Sequence, residues 1–257
     1  MSVKIIKQTI ETKSFSFNVM IFLPSPDVET RSEWALMTHG YTAHKGDCLN
    51  WAQRLSDVGI PSIIFDQPGH HLGSFNEVPS FEHYQEHAHT LFEDAFKCLL
   101  EHVDSDCEKV ILAGHSLGAL LSMKALELEF FASFEKIAIG VGFGISQHKS
   151  LHLFESSFYE KTLNIRKQLV HENIGPDHVF PWINEEKTGL SVSGHRIHLI
   201  CGIDDVVVGT GGVDSLMEVL ESNDNEVTIH EPKKLPHHEP MLAGSHIYSF
   251  LKKELSL

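Results

Sequence analysis

Lys109-Val110-Ile111-Leu112-Ala113-Gly114-His115-Ser116-Leu117-Gly118 sets a serine between two glycines at the end of an apolar run. Lys109 to Ala113 reads as a short buried strand, and Leu117, Leu120, Leu121, Ala125 and Leu128 then recur at helical spacing. Ser116 therefore falls on a sharp strand-to-helix turn. Gly114 and Gly118 let the backbone crowd there, because a side chain at either position would clash across the turn. A serine so placed stands clear of its own backbone. The N–H of Leu117 opens a helix, where partial positive charge gathers. The pentapeptide alone turns up by chance in roughly one chain in ten of this length. A tight turn with a buried, backbone-bonded serine is the competing reading, so the flanks must decide.

Outward from the turn, short apolar strands alternate with helices. Val3 to Ile10 and Ser14 to Leu23 alternate as two opening strands, expected to pair as an antiparallel edge. Further strands are expected at Trp34–Thr38, Pro61–Asp66, Lys136–Val141, Arg196–Cys201 and Glu226–His230. Helices are expected at Asn50–Val58, Phe81–His102, Gly212–Glu221 and Pro240–Lys253. This rhythm implies a largely parallel eight-stranded α/β sheet with helices on both faces, in one domain spanning 1–257. Residues 147–194 interrupt it. Leu151 to Val170 carries Phe154, Phe158, Leu163 and Leu169 as an amphipathic helix, and Phe180, Pro181 and Trp182 follow in an aromatic loop. The insertion reads as a lid over the C-terminal edge of the sheet, since loops this long in compact domains are usually functional. The plainer alternative is a crossover helix with a long loop.

Composition narrows the function classes. The 257 residues carry 35 acidic and 20 basic side chains, for a net charge of −15. Such a surface repels nucleic acid and anionic membranes, so neither nucleic-acid binding nor stable membrane association is expected. No apolar stretch of membrane-spanning length occurs, and Met1–Ile10 lacks the apolar core of a signal peptide. Cys48, Cys98, Cys107 and Cys201 are scattered, which suits free thiols in a reducing cytoplasm. Among the 19 histidines, His83, His87 and His89 lie near the start of an amphipathic helix and read as solvated surface residues rather than a metal site. The chain is expected to act as a monomer or homodimer.

In open α/β sheets, ligands bind beyond the carboxyl ends of the strands. There the chain places His39-Gly40-Tyr41, where the Gly40 turn can aim the Tyr41 N–H at Ser116 as a second oxyanion donor beside Leu117. It also places Gly202-Ile203-Asp204-Asp205, where either carboxylate can orient a histidine. Pro236-His237-His238-Glu239-Pro240 follows the last strand, and one of its histidines is placed to be the base. The order Ser, Asp, His, each beyond a separate strand, is that of the nucleophile-elbow architecture.

His39-Gly40-Tyr41-Thr42, Asp66-Gln67-Pro68-Gly69-His70, Gly114-His115-Ser116-Leu117-Gly118, Gly202-Ile203-Asp204-Asp205 and His238-Glu239-Pro240 together resemble the α/β-hydrolase superfamily over about residues 15–253. The likeness is to serine esterases, specifically monoacylglycerol-lipase-like and feruloyl-esterase-like members. It implies Asp205 as the acid, because the family's acid commonly stands three residues after the glycine ending that strand. It implies His238 as the base, because Glu often follows the family's histidine directly. It carries the oxyanion hole to the N–H groups of Tyr41 and Leu117. His71 stands where many members have Gly, and Gly209-Thr210-Gly211-Gly212 replaces a usual Pro near the acid.

The function so implied is a serine hydrolase, a carboxylesterase for small to medium acyl chains, acting on a small-molecule ester through an acyl-enzyme on Ser116 and needing no cofactor or metal. Tyr41, His115, Phe154 and Phe158 are the expected substrate contacts, with His44 and Trp182 nearby. Thioesterase, amidase, peptidase and acyltransferase activities use the same triad, and a non-catalytic binding protein uses the same fold. Ser at the elbow separates the chain from dehalogenases and epoxide hydrolases, which carry Asp there.

Overall fold

The computed structural model describes residues 3–146 and 157–257, the side chains of 157–160 excepted. Eight strands form one sheet: β1 (Lys4–Glu11), β2 (Ser16–Leu23), β3 (Glu33–Thr38), β4 (Ser62–Phe65), β5 (Lys109–His115), β6 (Glu135–Val141), β7 (Arg196–Ile200) and β8 (Glu226–His230). Their order is β1-β2-β4-β3-β5-β6-β7-β8. β1 runs antiparallel to β2, and β2 antiparallel to β4. Every other neighbouring pair is parallel. The antiparallel edge expected from the first two alternating runs is present. β1 leaves much of its length accessible to solvent and carries Lys4 and Lys7, which discourages pairing with another chain at this edge.

The described helices are α1 (Leu49–Ser56), α2 (Phe81–His87), α3 (Leu91–Leu100), α4 (Leu117–Ala125), α5 (Ser157–Gln168), α6 (Pro176–Thr188), α7 (Gly212–Glu221) and α8 (Gly244–Glu254). Alternation along the strands builds a core on each face. Val110 and Leu112 of β5 pack with Phe92 of α3, Leu120 of α4 and Leu216 of α7. Ile111 and Ala113 point the other way, toward Trp51 and Leu55 of α1 and Ile247 and Leu251 of α8. α4 is apolar nearly all round, and only Lys124 escapes full burial. A helix of that composition belongs against the centre of the sheet.

Three expectations need correction. The single helix foreseen at Phe81–His102 is broken by a 3-10 turn at Ala88–Thr90 and ends at Leu100. The Thr90 hydroxyl bonds the His87 carbonyl at 2.9 Å, competing with the helical ladder. His83, His87 and His89 are half-buried rather than solvated; the His83 Nε2 lies 3.0 Å from the Ser14 carbonyl. The aromatic loop foreseen at Phe180–Trp182 is the middle of α6, despite Pro181 inside it. Pro176 at its first turn suits a helix start, and burial of Val179, Trp182 and Ile183 offsets the hydrogen bond that Pro181 cannot donate.

The segment joining α5 and α6 is tied to the loops after β3 and β4. His71 N–H donates to the Leu169 carbonyl at 2.9 Å, and His171 N–H to that of Gly69 at 2.8 Å. The Tyr41 hydroxyl donates to the Ile174 carbonyl at 2.9 Å. Leu151–Ser156, the first part of the helix foreseen there, lies outside the described residues.

Candidate active site

The turn after β5 is as tight as its glycines imply. Ser116 is held at φ 50° and ψ −110°, a left-handed conformation that costs about 1–3 kcal/mol for a residue with a side chain. A Cβ on Gly114 would lie 2.1 Å from the carbonyl carbon and oxygen of Gly118. One on Gly118 would lie 2.6 Å from the His39 carbonyl oxygen. Both glycines are therefore steric requirements. The Leu117 N–H is the first of α4 and has no partner within the helix.

Hydrogen bonds between successive strand ends set the lateral spacing. Ser116 N–H donates to the Val141 carbonyl at 2.9 Å, Gly142 N–H to Ile200 at 2.8 Å, and Cys201 N–H to His230 at 3.1 Å. The loops after β5, β7 and β8 thus meet at one corner of the sheet.

Asp205, not Asp204, turns inward there. It is 3% exposed, and its Oδ1 accepts from the N–H groups of Val207 and Val208 at 2.9 and 3.0 Å. Burial alone would raise its pKa, but the His237 hydrogen bond and charge, with those two amides, hold the carboxyl below its ordinary value. Asp204 is exposed but not idle: its Oδ1 accepts the Leu235 N–H at 2.9 Å, joining the acid loop to the histidine loop. Gly202 completes that joint, since a Cβ there would lie 2.1 Å from the Leu235 carbonyl oxygen.

The histidine paired with Asp205 is His237, where the family resemblance pointed to His238. His237 Nδ1 lies 2.8 Å from Asp205 Oδ2. The carboxylate only accepts, so Nδ1 carries the hydrogen and Nε2 is the basic nitrogen. Asp204's grip on Leu235 fixes the register, and His238, one residue on, is exposed. Burial, then the neighbouring His237 and Arg166, lower the His238 pKa. The His237 ring lies 4.7 Å, centroid to centroid, from that of His115, the residue before Ser116. His115 is buried, with no hydrogen-bond partner on either ring nitrogen, and burial drives its pKa well down. It is a neutral ring beside the imidazole of His237. No hydrogen bond joins the Ser116 hydroxyl to His237 among the described residues.

The turn after β3 needs Gly40, where a Cβ would lie 2.5 Å from His115 Nδ1. Tyr41 is buried, its ring edge-on to Phe180 at 5.2 Å and His70 at 5.7 Å. Thr42 follows at φ 62°, its hydroxyl 2.7 Å from the Tyr41 carbonyl and accepting Arg166 Nη1 at 2.7 Å. Thr42 ends the quoted His39–Thr42 motif, but its pairing with Arg166 is not signalled by the sequence, because it spans the chain and follows no period. Trp182 packs edge-on against Phe81 and Tyr84, as core rather than pocket wall. His44 caps its own turn by accepting the Gly46 N–H at 3.1 Å. Phe154 lies outside the described residues, and so does the side chain of Phe158. Among the described residues no cluster of three metal-ligating side chains occurs.

A family model described as serine aminopeptidase, S33, matches residues 32–174, more than half of the chain. The chain belongs to that family. The match takes in the Tyr41 turn and Ser116 but stops short of Asp205 and His237, so the S33 resemblance in sequence covers the first half of the site. No curated protein matches the chain in sequence. A soluble variant of monoglyceride lipase from Saccharomyces cerevisiae is similar to the S33 chain at TM-score 0.67 and 15% identity, over 96% of this chain and 94% of that one. Est1E from Butyrivibrio proteoclasticus is similar at TM-score 0.61 and 13% identity, over 98% and 99%. The epoxide hydrolase VrEH1 from Vigna radiata is similar at TM-score 0.63 and 16% identity, over 97% and 98%. These likenesses show the α/β-hydrolase fold.

A network behind the site adds a pH dependence of stability. His39 Nε2 accepts the Gln67 N–H at 3.0 Å, and His70 Nδ1 lies 3.1 Å from the Pro68 carbonyl. Burial lowers both pKa values to about 3, against 6.5 for a free histidine. Between those values the unfolded chain holds protons that the folded protein lacks. Stability is therefore full above pH 6.5 and falls as pH drops toward 3, by up to about 1.4 kcal/mol per pH unit for each histidine. His70→Gln is expected to flatten the fall in urea midpoint between pH 7 and 5. An unchanged slope would show that His70 is not buried in neutral form.

Proposed function

We propose that the chain is a serine esterase working through an acyl-enzyme on Ser116. Asp205 paired with His237, beside a strained serine at a helix start, carries this reading. His237 Nε2 takes the Ser116 hydroxyl proton as Oγ bonds the ester carbonyl carbon. The backbone N–H groups of Tyr41 and Leu117 receive the oxyanion, a charge that develops only in the transition state. The protonated His237 passes its proton to the departing alkoxide as the carbon–oxygen bond breaks. Water then repeats the sequence on the acyl-enzyme and frees the acid. Asp205 holds the imidazole tautomer and stabilises its charged form.

The Tyr41–Phe180 contact and the Tyr41–Ile174 hydrogen bond support reading the α5–α6 segment as a cover that limits the site to small to medium acyl groups. An aminopeptidase would need a free carboxylate to receive the substrate's α-ammonium group, whereas the Asp66 carboxylate near the Tyr41 turn is already paired with Lys45 and the side chain bonded to Thr42 is the Arg166 guanidinium. That favours ester over peptide. No helix among the described residues is long and apolar enough to cross a membrane. The four cysteines are unpaired, which supports a reducing, cytoplasmic setting.

A fluorophosphonate probe tests the nucleophile. Wild type is expected to label and Ser116→Ala to remain unlabelled, while p-nitrophenyl acetate, butyrate and octanoate are hydrolysed faster than the palmitate ester or an aryl amide. Equal labelling of both proteins would overturn the assignment.

A further inference from the structure

Arg166 stands in the last turn of α5, and its Nη1 donates to the Thr42 hydroxyl at 2.7 Å. Thr42 follows Tyr41, whose N–H we assign to the oxyanion hole. The same guanidinium acts on His238, next to the imidazole of the site, and helps lower its pKa. Arg166 therefore lies at the mouth of the site, between the oxyanion turn and the histidine loop. Among the described residues no carboxylate pairs with it. Lys45, Lys124 and Lys167, by contrast, each pair with a carboxylate, on Asp66, Glu186 and Asp177.

A guanidinium presents five N–H donors in a planar fork that matches a carboxylate's two oxygens. Thr42 engages one nitrogen and fixes the side chain's position, which lessens the entropy lost when an anion binds. We infer that Arg166 is a specificity-determining residue that receives a carboxylate carried by the ester substrate. The carboxylate belongs either to the acyl group, as in the half-ester of a dicarboxylic acid, or to the leaving alcohol. The inference rests on the esterase reading and names the substrate class of that site. In a protein this acidic, an anionic substrate approaches against the net charge, so a fixed local cation also offsets repulsion at the entrance.

Matched esters test it. Mono-p-nitrophenyl succinate against p-nitrophenyl butyrate probes the acyl side, and 4-acetoxybenzoate against phenyl acetate probes the alcohol side. The readout is the ratio of kcat/KM for the charged ester to that for its neutral partner. Arg166→Gln is expected to lower that ratio about tenfold to a hundredfold in one of the pairs, the scale of a charge-assisted hydrogen bond, with Arg166→Lys keeping part of it. A purely structural role would lower both members of a pair together. A ratio unchanged within about twofold in both pairs overturns the inference. Failure of the esterase reading is separate: no ester is turned over, or Ser116→Ala is as active as wild type. Binding of succinate itself, followed by NMR, then decides the anion site. Loss of binding in Arg166→Gln supports it, and binding that is absent or independent of Arg166 overturns it.

Discussion

Replacing His237 with alanine is expected to lower ester turnover by about 10⁴-fold or more, while the same change at His238 costs less than about tenfold. The two residues are neighbours of identical chemistry, so the contrast isolates geometry. His237 Nδ1 is 2.8 Å from Asp205 Oδ2, and its ring packs on that of His115 beside the nucleophile. Without it, nothing takes the Ser116 proton, and the imidazolium that protonates the leaving alkoxide is lost. His238 is exposed, and Asp205 is already committed to its neighbour. Initial rates with p-nitrophenyl butyrate over purified variants suffice, with far-UV circular dichroism to confirm that each is folded. An active His237→Ala beside an inactive His238→Ala would reverse the assignment.

Gly114→Ala is expected to destabilise the protein by about 3 kcal/mol or more and to remove activity from whatever fraction folds. The added Cβ would stand 2.1 Å from backbone atoms of Gly118, which cannot swing aside as a side-chain tip would. Relief requires β5 and α4 to separate at the turn, and that carries the Ser116 hydroxyl and the Leu117 N–H away from the acyl carbon. For a chain of this size the loss amounts to a fall of roughly 6–12 °C in Tm. Gly189→Ala is the matched control. Its φ is −104°, and the nearest atom to a Cβ lies at an ordinary 3.5 Å. It should shift Tm by no more than a degree or two. Similar losses in the two variants would mean that the elbow is not sterically closed.

Periodicity carried the sheet. Val110 and Leu112 face one core while Ile111 and Ala113 face the other, and a strand buried on both faces reads as the unbroken apolar run of Val110–Ala113. The turn at Ser116 was legible because glycine spacing speaks directly about backbone crowding. The histidine was not. Its register depends on Asp204 reaching across 31 positions to the Leu235 N–H, a contact with no period and no composition signal. A short motif rule then selected the neighbour. α6 was hidden by Pro181, whose local preference against a helix is outweighed by the burial of Val179, Trp182 and Ile183. The Arg166–Thr42 pairing was invisible for the same reason as the histidine register.

The joint between the loops after β7 and β8 makes the site a two-piece assembly. Asp205 and His237 arrive as one prefabricated part, clasped by Asp204 and Leu235 and seated on adjacent strands. Ser116 arrives on another, with β6 between them as the spacer. Alignment of the whole reduces to a single tolerance, the two hydrogen bonds at Val141 and Gly142 that seat β6 between its neighbours. The clasped part can change its side chains at Ile203 and Val206, which are exposed, without disturbing that alignment. A change at the spacer moves both halves at once.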